Sequence, residues 1–401
     1  MQDEVLLKVE HLCQYFGPTK AVDDVSFEVK RGEVFGLVGE SGCGKTTTGR
    51  SIIKLYDITG GNVYFRGRRI CAGTKSYKDA IVEARKRYAD ACKDKELSPD
   101  EVAKIKAETQ AEIADQKLQM KKAIADQKNG DKIYAKELCQ QVKDEYEAKI
   151  AAANNQEELQ AIKAEYAVAL RKAKKQKFIT RIQMIYQDPI ASLDPRMTVE
   201  EIIAEGLRIQ GEKDKKVIRE KVYNVLEMVG LVKEHATRFP HEFSGGQRQR
   251  IGVARSVIMG PEMIIADEPV SALDVSIQAQ VINLLNELRE KMGLTILFIA
   301  HDLSVVKYFS DRIGVMYYGK MVELAPSDEL FLNPMHPYTK SLLSAVPLPD
   351  PQYEKKRQRI EYKPLEAHDY SEDKPTFREV KPGHFVMCNQ AEYDKIIMEL
   401  K

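Results

Sequence analysis

The sequence lacks several features that would point to other classes of protein. Its 62 basic and 61 acidic side chains leave a formal charge of only +1, which does not predict a protein that coats nucleic acid or an acidic membrane surface. Apolar runs such as LTILFIA are much shorter than the roughly 20 residues of a membrane-spanning helix. The first residues, MQDEVLLKVE, show no basic start followed by an apolar stretch, so we expect no secretory signal.

Cysteine is sparse, and its spacing suggests no disulfide framework. The chain has neither a CxxC pair nor a group of closely spaced cysteines; its six are Cys13, Cys43, Cys71, Cys92, Cys139 and Cys388. We therefore expect reduced thiols in a cytosolic protein.

Length and composition predict more than one structural unit. At 401 residues the chain is longer than most single domains, so we expect a main body of two subdomains with an appendage. Strand-like runs alternate with helical segments, a pattern that predicts an α/β fold with a largely parallel sheet. Short strands are predicted near the start, at VLLKVEHL, VSFEVK, EVFGLVG and GNVYFRGRRI. Beyond about Pro334 the chain is richer in proline and charge, and we interpret it as a loosely packed extension.

From about Lys75 to Lys177 the sequence is dominated by Ala, Lys, Glu, Asp and Gln, which favour helices. Apolar residues recur there at helical spacing in two stripes: Tyr134, Leu138, Val142, Tyr146 and Ile150, then Leu159, Ile162, Tyr166 and Leu170. Turn-forming residues predict helix breaks at 97–100, 129–131 and 154–155. We expect a helical hairpin or small antiparallel coiled coil, with helices of about 25 residues and on the order of 37 Å. It is either a solvated insertion or a docking arm for a partner.

The segment Gly39–Thr46, GESGCGKT, matches the phosphate-loop pattern GxxxxGK[ST] and lies between a strand and a helix. In such a loop, backbone N–H groups turn toward one anion and the helix N-terminus reinforces them. We predict that Lys45 reaches the β- and γ-phosphates of ATP and that Thr46 ligates Mg²⁺. The other predicted loop contacts are Gly39, Ser41, Gly42, Cys43, Gly44 and Thr47. Backbone dipoles could lower the pKa of Cys43, so we expect alkylation there to inhibit the protein and ATP to protect it.

The apolar run Met263–Asp267 predicts a strand that ends in a carboxylate, and Glu268 follows it directly. Such a strand would bring Asp267 beside the metal, to hold it directly or through water. Glu268 can orient or deprotonate the attacking water. The two motifs together predict magnesium-dependent hydrolysis of ATP.

The segment Phe243–Gln247, FSGGQ, stands directly before a predicted helix and resembles the signature motif of ABC ATPases. The resemblance implies a P-loop NTPase core with a RecA-like subdomain, an antiparallel β subdomain and an α-helical signature subdomain, here with the inserted helical hairpin or coiled coil. It also implies that two subunits bind ATP head to tail, so that the signature of one acts on ATP held by Lys45 of the other. The signature residues here are Ser244, Gly245, Gly246 and Gln247.

Further positions resemble those of the same family. Gln187 resembles the glutamine that senses Mg²⁺ and the γ-phosphate, and His301 resembles the switch histidine that contacts the γ-phosphate. The segment 271–274 resembles the dimer-contacting loop and implies that Asp274 lies near nucleotide. Phe16 takes the place of the aromatic that stacks on adenine, with Tyr15 as its rival. The implied catalytic residues are Lys45, Gln187, Glu268 and His301, and the implied metal ligands are Thr46, Gln187 and Asp267.

Two stretches, YQDPIASLDPRMTVEEIIAEGLRI and NPMHPYTKSLLSAVPLPDP, closely resemble ATPase subunits of bacterial oligopeptide and dipeptide importers. The resemblance implies a second ATPase subunit, related or identical, two integral-membrane permease subunits and an extracytoplasmic solute-binding protein. It implies a peripheral location on the cytoplasmic face of the bacterial cell membrane and no nucleic-acid partner. Many subunits of that group carry a C-terminal cysteine cluster for an iron–sulfur centre, whereas this region has only Cys388, so we expect no such cofactor.

Two alternatives remain within the ABC class. A DNA-maintenance ATPase also interrupts its core with coiled coil, and DNA-stimulated ATP hydrolysis would favour that function. The ATPase of an exporter is the other alternative, which the lack of a fused membrane domain weakens.

We expect four regions along the chain. The N-terminal part of the ATPase core spans 1–73 and the charged helical insertion 74–178. The remainder of the core spans 179–335, and an importer-type C-terminal extension spans 336–401.

Overall fold

A computed structural model describes residues 4–93, 98–153, 155–271, 273–346 and 359–400. Three parts of the predictions therefore lie partly outside the described residues. These are the helix breaks at 97–100 and 154–155, the dimer-contacting loop at Ala272, and the end of the second importer-like stretch at 347–351.

The strands of the described residues form two sheets. They are β1 (Val5–Phe16), β2 (Thr19–Lys30), β3 (Val34–Val38), β4 (Gly60–Phe65), β5 (Arg68–Ala72), β6 (Ile182–Ile185), β7 (Met263–Asp267), β8 (Thr295–Ile299), β9 (Arg312–Tyr317), β10 (Lys320–Pro326), β11 (Thr376–Lys381) and β12 (His384–Cys388). One sheet is antiparallel, in the order β2-β1-β4-β5. The other has the order β11-β12-β10-β9-β3-β8-β7-β6 and is parallel from β9 to β6. The predicted parallel α/β core with an antiparallel subdomain is confirmed.

The helices are α1 (Lys45–Ile52), α2 (Lys75–Ala91), α3 (Pro99–Ala151), α4 (Gln156–Lys175), α5 (Val199–Ile209), α6 (Lys215–Met228), α7 (Gly245–Val257), α8 (Val275–Met292), α9 (Leu303–Phe309), α10 (Ser327–Leu332), α11 (Pro337–Ser344), α12 (Pro364–Ala367) and α13 (Gln390–Glu399). Short 3₁₀ helices occupy Phe178–Arg181, Lys233–Thr237 and Pro240–Glu242.

The parallel sheet is buried on both faces. Strands β3, β7 and β8 have no exposed position, as expected for parallel strands covered on two sides. Alternate residues such as Ile264 and Phe298 pack into the core that includes α5 to α9. Their neighbours, such as Ile265 and Leu297, pack into a second core with α1 and the antiparallel sheet.

The charged segment forms two antiparallel helix pairs that share α3. Helix α2 pairs with the first half of α3, where Arg87 contacts Glu112 at 2.7 Å. Helix α4 pairs with the second half, where the rings of Tyr146 and Tyr166 lie 5.5 Å apart. The predicted apolar stripes are confirmed, since their members are buried or half-buried along otherwise exposed helices.

The predicted break at 129–131 is wrong, because α3 runs through it for 53 residues, about 80 Å at 1.5 Å per residue. A glycine inside a helix costs about 1 kcal/mol, but packing on the antiparallel sheet outweighs that cost. Tyr134 is buried against Phe178, with ring centroids 5.0 Å apart. Arg69 donates to Asp126 at 3.1 Å and Arg68 to Glu137 at 2.5 Å.

The predicted single strand GNVYFRGRRI is a hairpin of β4 and β5. Its turn residues, Arg66 and Gly67, have φ angles of 50° and 70°. Two successive positive φ angles are typical of the two-residue turns that match the twist of paired strands.

The C-terminal segment is not the loosely packed extension that its composition predicts. Strand β12 pairs with β10, with Glu323 opposite Val386, and β11 pairs with β12. Val386 and Cys388 are buried against Ile396 of α13. The buried positions of β12 alternate over only five residues, which is too short a signal to stand out in a charged segment.

Candidate nucleotide site

The predicted phosphate loop connects the end of β3 to the start of α1. Gly39 and Gly44 have φ angles of 147° and 105°, and a Cβ on either would lie 2.2 Å from a backbone oxygen, that of Met316 or Ala21. Only glycine fits these two positions. The Lys45 ammonium donates to the carbonyls of Gly39, at 2.8 Å, and of Glu40, at 2.9 Å. The side chain of Lys45, the first residue of α1, therefore binds the start of its own loop.

Thr46 and Asp267 form the oxygen-rich side of the site. The Thr46 hydroxyl donates to Asp267 Oδ1 at 2.7 Å. Asp267 Oδ2 is buried and has no hydrogen-bond partner among the described residues, and the guanidinium of Arg50 lies 3.9 Å from it. Burial raises the pKa of Asp267, although Thr46 and Arg50 oppose the shift. A buried carboxylate oxygen without a donor is a place where a cation would be stabilised.

Glu268 contacts two other predicted residues, Gln187 and His301. Its Oε2 accepts from Gln187 Nε2 at 2.9 Å and lies 3.2 Å from His301 Nδ1. The three residues follow β6, β7 and β8, so they meet at the carboxyl edge of the parallel sheet, where ligands bind in open α/β folds. Glu268 has a φ of 44°, a left-handed conformation that costs roughly 1 kcal/mol. The position of the Glu268 carboxylate is therefore set by a strained backbone conformation and by contacts with Gln187 and His301.

Cys43 corrects one prediction. Its side chain is only 5% exposed, and burial raises the pKa of the thiol despite the neighbouring Lys45. The expectation of a lowered pKa is wrong, because desolvation of a thiolate outweighs the loop's dipoles. Cys43 is a packing residue of the loop rather than an activated nucleophile.

The signature residues begin α7. Ser244 is the N-cap: its hydroxyl accepts from the amide of Gln247 at 3.3 Å, and its own amide donates to the Gln247 side chain at 3.1 Å. Ser244 and Gly245 are exposed, and a Cβ on Gly246 would lie 2.6 Å from Ile277. Within the described ranges, no hydrogen bond joins these residues to the phosphate loop of the same chain.

The remaining candidates are Phe16, Tyr15 and Asp274. Phe16 is 46% exposed and meets Tyr56 edge-on, with ring centroids 5.2 Å apart. Tyr15 donates its hydroxyl to Asp23 and carries Lys20 over its ring at 5.4 Å. Asp274 precedes α8 and is exposed, with no side-chain cap of its helix.

One contact of the phosphate loop was not predicted. The hydroxyl of Tyr338, in α11, accepts a hydrogen bond from the amide of Glu40 at 3.1 Å. In the sequence, the stretch that contains Tyr338 is notable only for its resemblance to peptide-importer ATPases. No local sequence pattern could predict a contact between residues 298 positions apart.

Family models and curated relatives both match this chain to ATP-binding proteins of transporters. A family model described as "ABC transporter" matches residues 22–159 and 148–271, and one described as "Oligopeptide/dipeptide transporter, C-terminal region" matches residues 322–379. The chain is 48% identical to the oligopeptide transport ATP-binding protein OppF of Bacillus subtilis (strain 168), over 97% of this chain and 98% of that protein. It is 40% identical to the dipeptide transport ATP-binding protein DppF of Lactococcus lactis subsp. cremoris, over 94% of this chain and 90% of that protein.

Solved structures show the same fold at low identity. The cbiO1 protein of Clostridium perfringens, part of the ABC transporter complex cbiONQ, has a TM-score of 0.51 and is 20% identical; the match covers 82% of this chain and 92% of that one. The ATP-binding cassette MJ1267, in its ADP conformation, has a TM-score of 0.50 at 20% identity and covers 82% of this chain and 96% of that one.

Proposed function

The chain belongs to the ABC transporter ATPases, and we propose that it hydrolyses ATP to drive the uptake of oligopeptides or dipeptides by a membrane permease. The observation that carries the enzymatic part is the meeting of Gln187, Glu268 and His301 beside the Thr46–Asp267 pair. The peptide substrate class is supported by the near full-length match to peptide-transport relatives and by the matched C-terminal region.

In this proposal ATP lies on the phosphate loop with its γ-phosphate facing Glu268. Lys45 leaves one of its carbonyl contacts to bind the β- and γ-phosphates, and the loop amides and Thr47 contact the remaining oxygens. The exposed face of Phe16 is available for adenine, whereas Tyr15 is engaged with Asp23 and Lys20. Stacking of a base on an aromatic ring contributes roughly 1–3 kcal/mol.

Thr46, Asp267 and the amide oxygen of Gln187 would hold Mg²⁺. The donors fit, because hydroxyl, carboxylate and amide oxygens suit a hard cation and because one buried oxygen of Asp267 lacks a hydrogen-bond donor. The described residues contain no group of three or more His, Cys, Asp or Glu side chains placed to hold a metal, so this site would rely on phosphate and water for its other ligands. When bound, Mg²⁺ neutralises phosphate charge and orients the terminal phosphate.

Glu268 is the proposed general base. Its buried carboxylate is oriented by Gln187 and His301 so that it can accept a proton from a water in line with the γ-phosphate. A positioned base of this kind contributes about 10²–10⁴ in rate. His301 stands next to the position of the γ-phosphate and can hydrogen-bond to it.

The exposed signature turn is proposed to act on ATP held by a second ATPase subunit. Ser244 and the first N–H groups of α7 make an anion site at a helix N-terminus, and this site is not joined to the phosphate loop of its own chain in the described residues. Asp274 would contact the same interface. Two bound ATP molecules then draw the subunits together, and hydrolysis releases them.

The partners in this proposal are a second ATPase subunit, two permease subunits and an extracytoplasmic binding protein. None of the helices formed by the described residues combines the length and the apolar character that a bilayer requires. From its likeness to peptide-transport ATP-binding proteins, we propose that the chain lies on the cytoplasmic face of the membrane, held there by its permeases. The regions 1–73, 74–178, 179–335 and 336–401 remain our proposed division of the chain, and the lack of an iron–sulfur centre remains a prediction.

The proposal is tested by affinity purification from membranes, followed by peptide uptake in a strain that lacks the gene. We expect permeases and a binding protein to co-purify, and uptake of labelled peptides to return with the wild-type chain but not with the Lys45→Ala variant. Peptide uptake that persists without the chain would contradict the transport function. ATP hydrolysis that is stimulated by DNA would favour the DNA-maintenance alternative.

A further inference from the structure

The C-terminal segment touches the phosphate loop through one buried hydroxyl. Tyr338 is 2% exposed, and its hydroxyl accepts a hydrogen bond from the amide of Glu40 at 3.1 Å. We propose that Tyr338 is a positioning residue that holds the phosphate loop in its nucleotide-binding shape. This inference rests on the proposed function, since it assigns a role in ATP binding to a residue outside the ATPase motifs.

The contact fixes the orientation of a single peptide group. The carbonyl of Gly39 and the amide of Glu40 belong to the same planar peptide. The carbonyl accepts from Lys45 at 2.8 Å, while the amide donates to Tyr338 at 3.1 Å. Rotation of this peptide would break both hydrogen bonds. Gly39 has no Cβ and tolerates a wide range of backbone angles, so no side chain at this position resists such a rotation.

Tyr338 is itself held firmly. Its ring centroid lies 4.4 Å from that of Tyr317 and 5.5 Å from that of Tyr362. Its amide donates to Nδ1 of His336 at 3.1 Å, which caps α11. Burial lowers the pKa of His336 to about 3, so the imidazole is neutral near pH 7 and keeps a lone pair for this acceptor role. Burial also raises the pKa of Tyr338, so its hydroxyl stays protonated.

The start of α11 is anchored by a buried carboxylate on β10. Glu323 is fully buried and accepts from the amides of Met335, at 2.8 Å, and His336, at 3.0 Å. The same carboxylate lies 2.8 Å from Nε2 of the fully buried His384 on β12. The strand added by the C-terminal segment thus supports the helix that carries Tyr338. A continuous set of hydrogen bonds runs from β12 to the phosphate loop.

Loss of this support should weaken ATP binding without slowing the chemical step. If the peptide can rotate, only a fraction of molecules has a competent loop, and the apparent Kd rises by the inverse of that fraction. Bound phosphates order the loop again, so kcat stays close to its original value. A net hydrogen bond of ordinary strength corresponds to a change of about three- to tenfold in affinity. The expected signature is therefore a raised KM with little change in kcat.

The test compares Tyr338→Phe with Tyr362→Phe, in the full-length chain for Mg-ATP binding and in the purified transporter for ATP hydrolysis. Tyr362 belongs to the same aromatic cluster, and its hydroxyl makes no hydrogen bond within the described part of the chain, so it is a matched control. We expect Tyr338→Phe to raise Kd and KM for Mg-ATP about three- to tenfold and Tyr362→Phe to change them less than about twofold. KM does not depend on the fraction of active protein, so partial misfolding of a variant would not imitate this result.

Two results would overturn the inference: an unchanged KM in Tyr338→Phe, or an equal rise in both variants. A fall in kcat alone is a case of the first result, because KM is then unchanged, and that pattern belongs to general damage to the fold. The proposed function fails separately, since it requires the wild-type chain to bind and hydrolyse Mg-ATP. Hydrogen exchange gives an independent readout: peptides covering residues 39–46 should lose protection in Tyr338→Phe and keep it in Tyr362→Phe.

Discussion

Replacement of Glu268 by glutamine separates nucleotide binding from hydrolysis. The side chain of Glu268 is only 10% exposed, and its Oε2 takes both contacts, from Gln187 at 2.9 Å and His301 at 3.2 Å. Glutamine has the same shape, and its amide oxygen can still accept from Gln187. It cannot accept the proton of an attacking water. The Glu268→Gln variant should therefore keep the architecture of the site and lose the base.

The expected loss follows from the role of a positioned base. We expect kcat to fall by about 10²–10⁴, which corresponds to about 3–5 kcal/mol in the barrier. ATP affinity should stay close to that of the wild type, since Glu268 makes no hydrogen bond to the phosphate loop within the described ranges. Phosphate release measures the first quantity and equilibrium binding of labelled ATP the second. Light scattering with Mg-ATP should show a long-lived dimer that the wild type forms only transiently.

Glu287→Gln serves as the control, because Glu287 is an exposed carboxylate on α8 with 60% of its side chain accessible. It should behave as wild type in all three assays. The assignment of Glu268 is refuted if Glu268→Gln keeps more than about a tenth of the wild-type kcat, since a positioned base supplies at least about 10². A variant that no longer binds ATP would refute the separation of the two roles.

Three further predictions concern the loop, the metal side and the helical insertion. Gly44→Ala should lower ATP affinity at least about tenfold in binding assays, because the added Cβ would lie 2.2 Å from a backbone oxygen. Gly260 also has a positive φ, of 60°, but a Cβ there would meet no atom within 4 Å, so the control variant Gly260→Ala should bind ATP normally. Burial raises the pKa of Asp267, so its charged form opposes folding above that pKa. Without metal at pH 7, Asp267→Asn should therefore raise Tm in calorimetry, and it should abolish Mg-dependent hydrolysis. Tyr134→Ala should lower the free energy of unfolding by about 3 kcal/mol, measured by denaturant titration, and leave KM for ATP unchanged in steady-state kinetics. Ile133 is 50% exposed, so the control variant Ile133→Ala should change neither quantity by much. An unaltered stability in Tyr134→Ala would show that α3 is not packed on the antiparallel sheet.

The residues brought together in the site could be predicted because each stands next to a strong local pattern. Glu268 directly follows an apolar strand, and the family resemblance identifies Gln187 and His301, each of which also comes soon after a strand. Parallel strands bring their carboxyl ends to one edge of the sheet, so the three residues are expected to meet there. The phosphate loop and the Ser244 turn are continuous in sequence. Their relative orientation could not be predicted, since it depends on how α5 to α9 cover the sheet.

Two of the wrong predictions about the fold share a physical cause. In α3, helix propensity alone favours a break at Gly130, but contacts from residues distant in sequence stabilise the continuous helix. In the C-terminal segment, charge and proline suggest loose packing, yet His384 is fully buried there and paired with the fully buried Glu323 of β10. A buried polar pair of this kind carries no apolar periodicity, so pattern analysis does not detect it.

Hydrogen bonds at the two ends of the insertion explain how this long segment leaves the catalytic order intact. The amide of Ala72, at the end of β5, donates to Gln127 at 3.1 Å, and the amide of Phe178, just before β6, donates to Asp131 at 2.8 Å. Both ends of the insertion are thus bound to neighbouring turns in the middle of α3, the turns on either side of Gly130. The end of β5 and the start of β6 are therefore bound to neighbouring points on α3, much as the two ends of a short loop lie close together. Because the entropy of closing a loop grows only slowly with its length, the helices could lengthen in both directions from this point without displacing the strand that leads to Gln187.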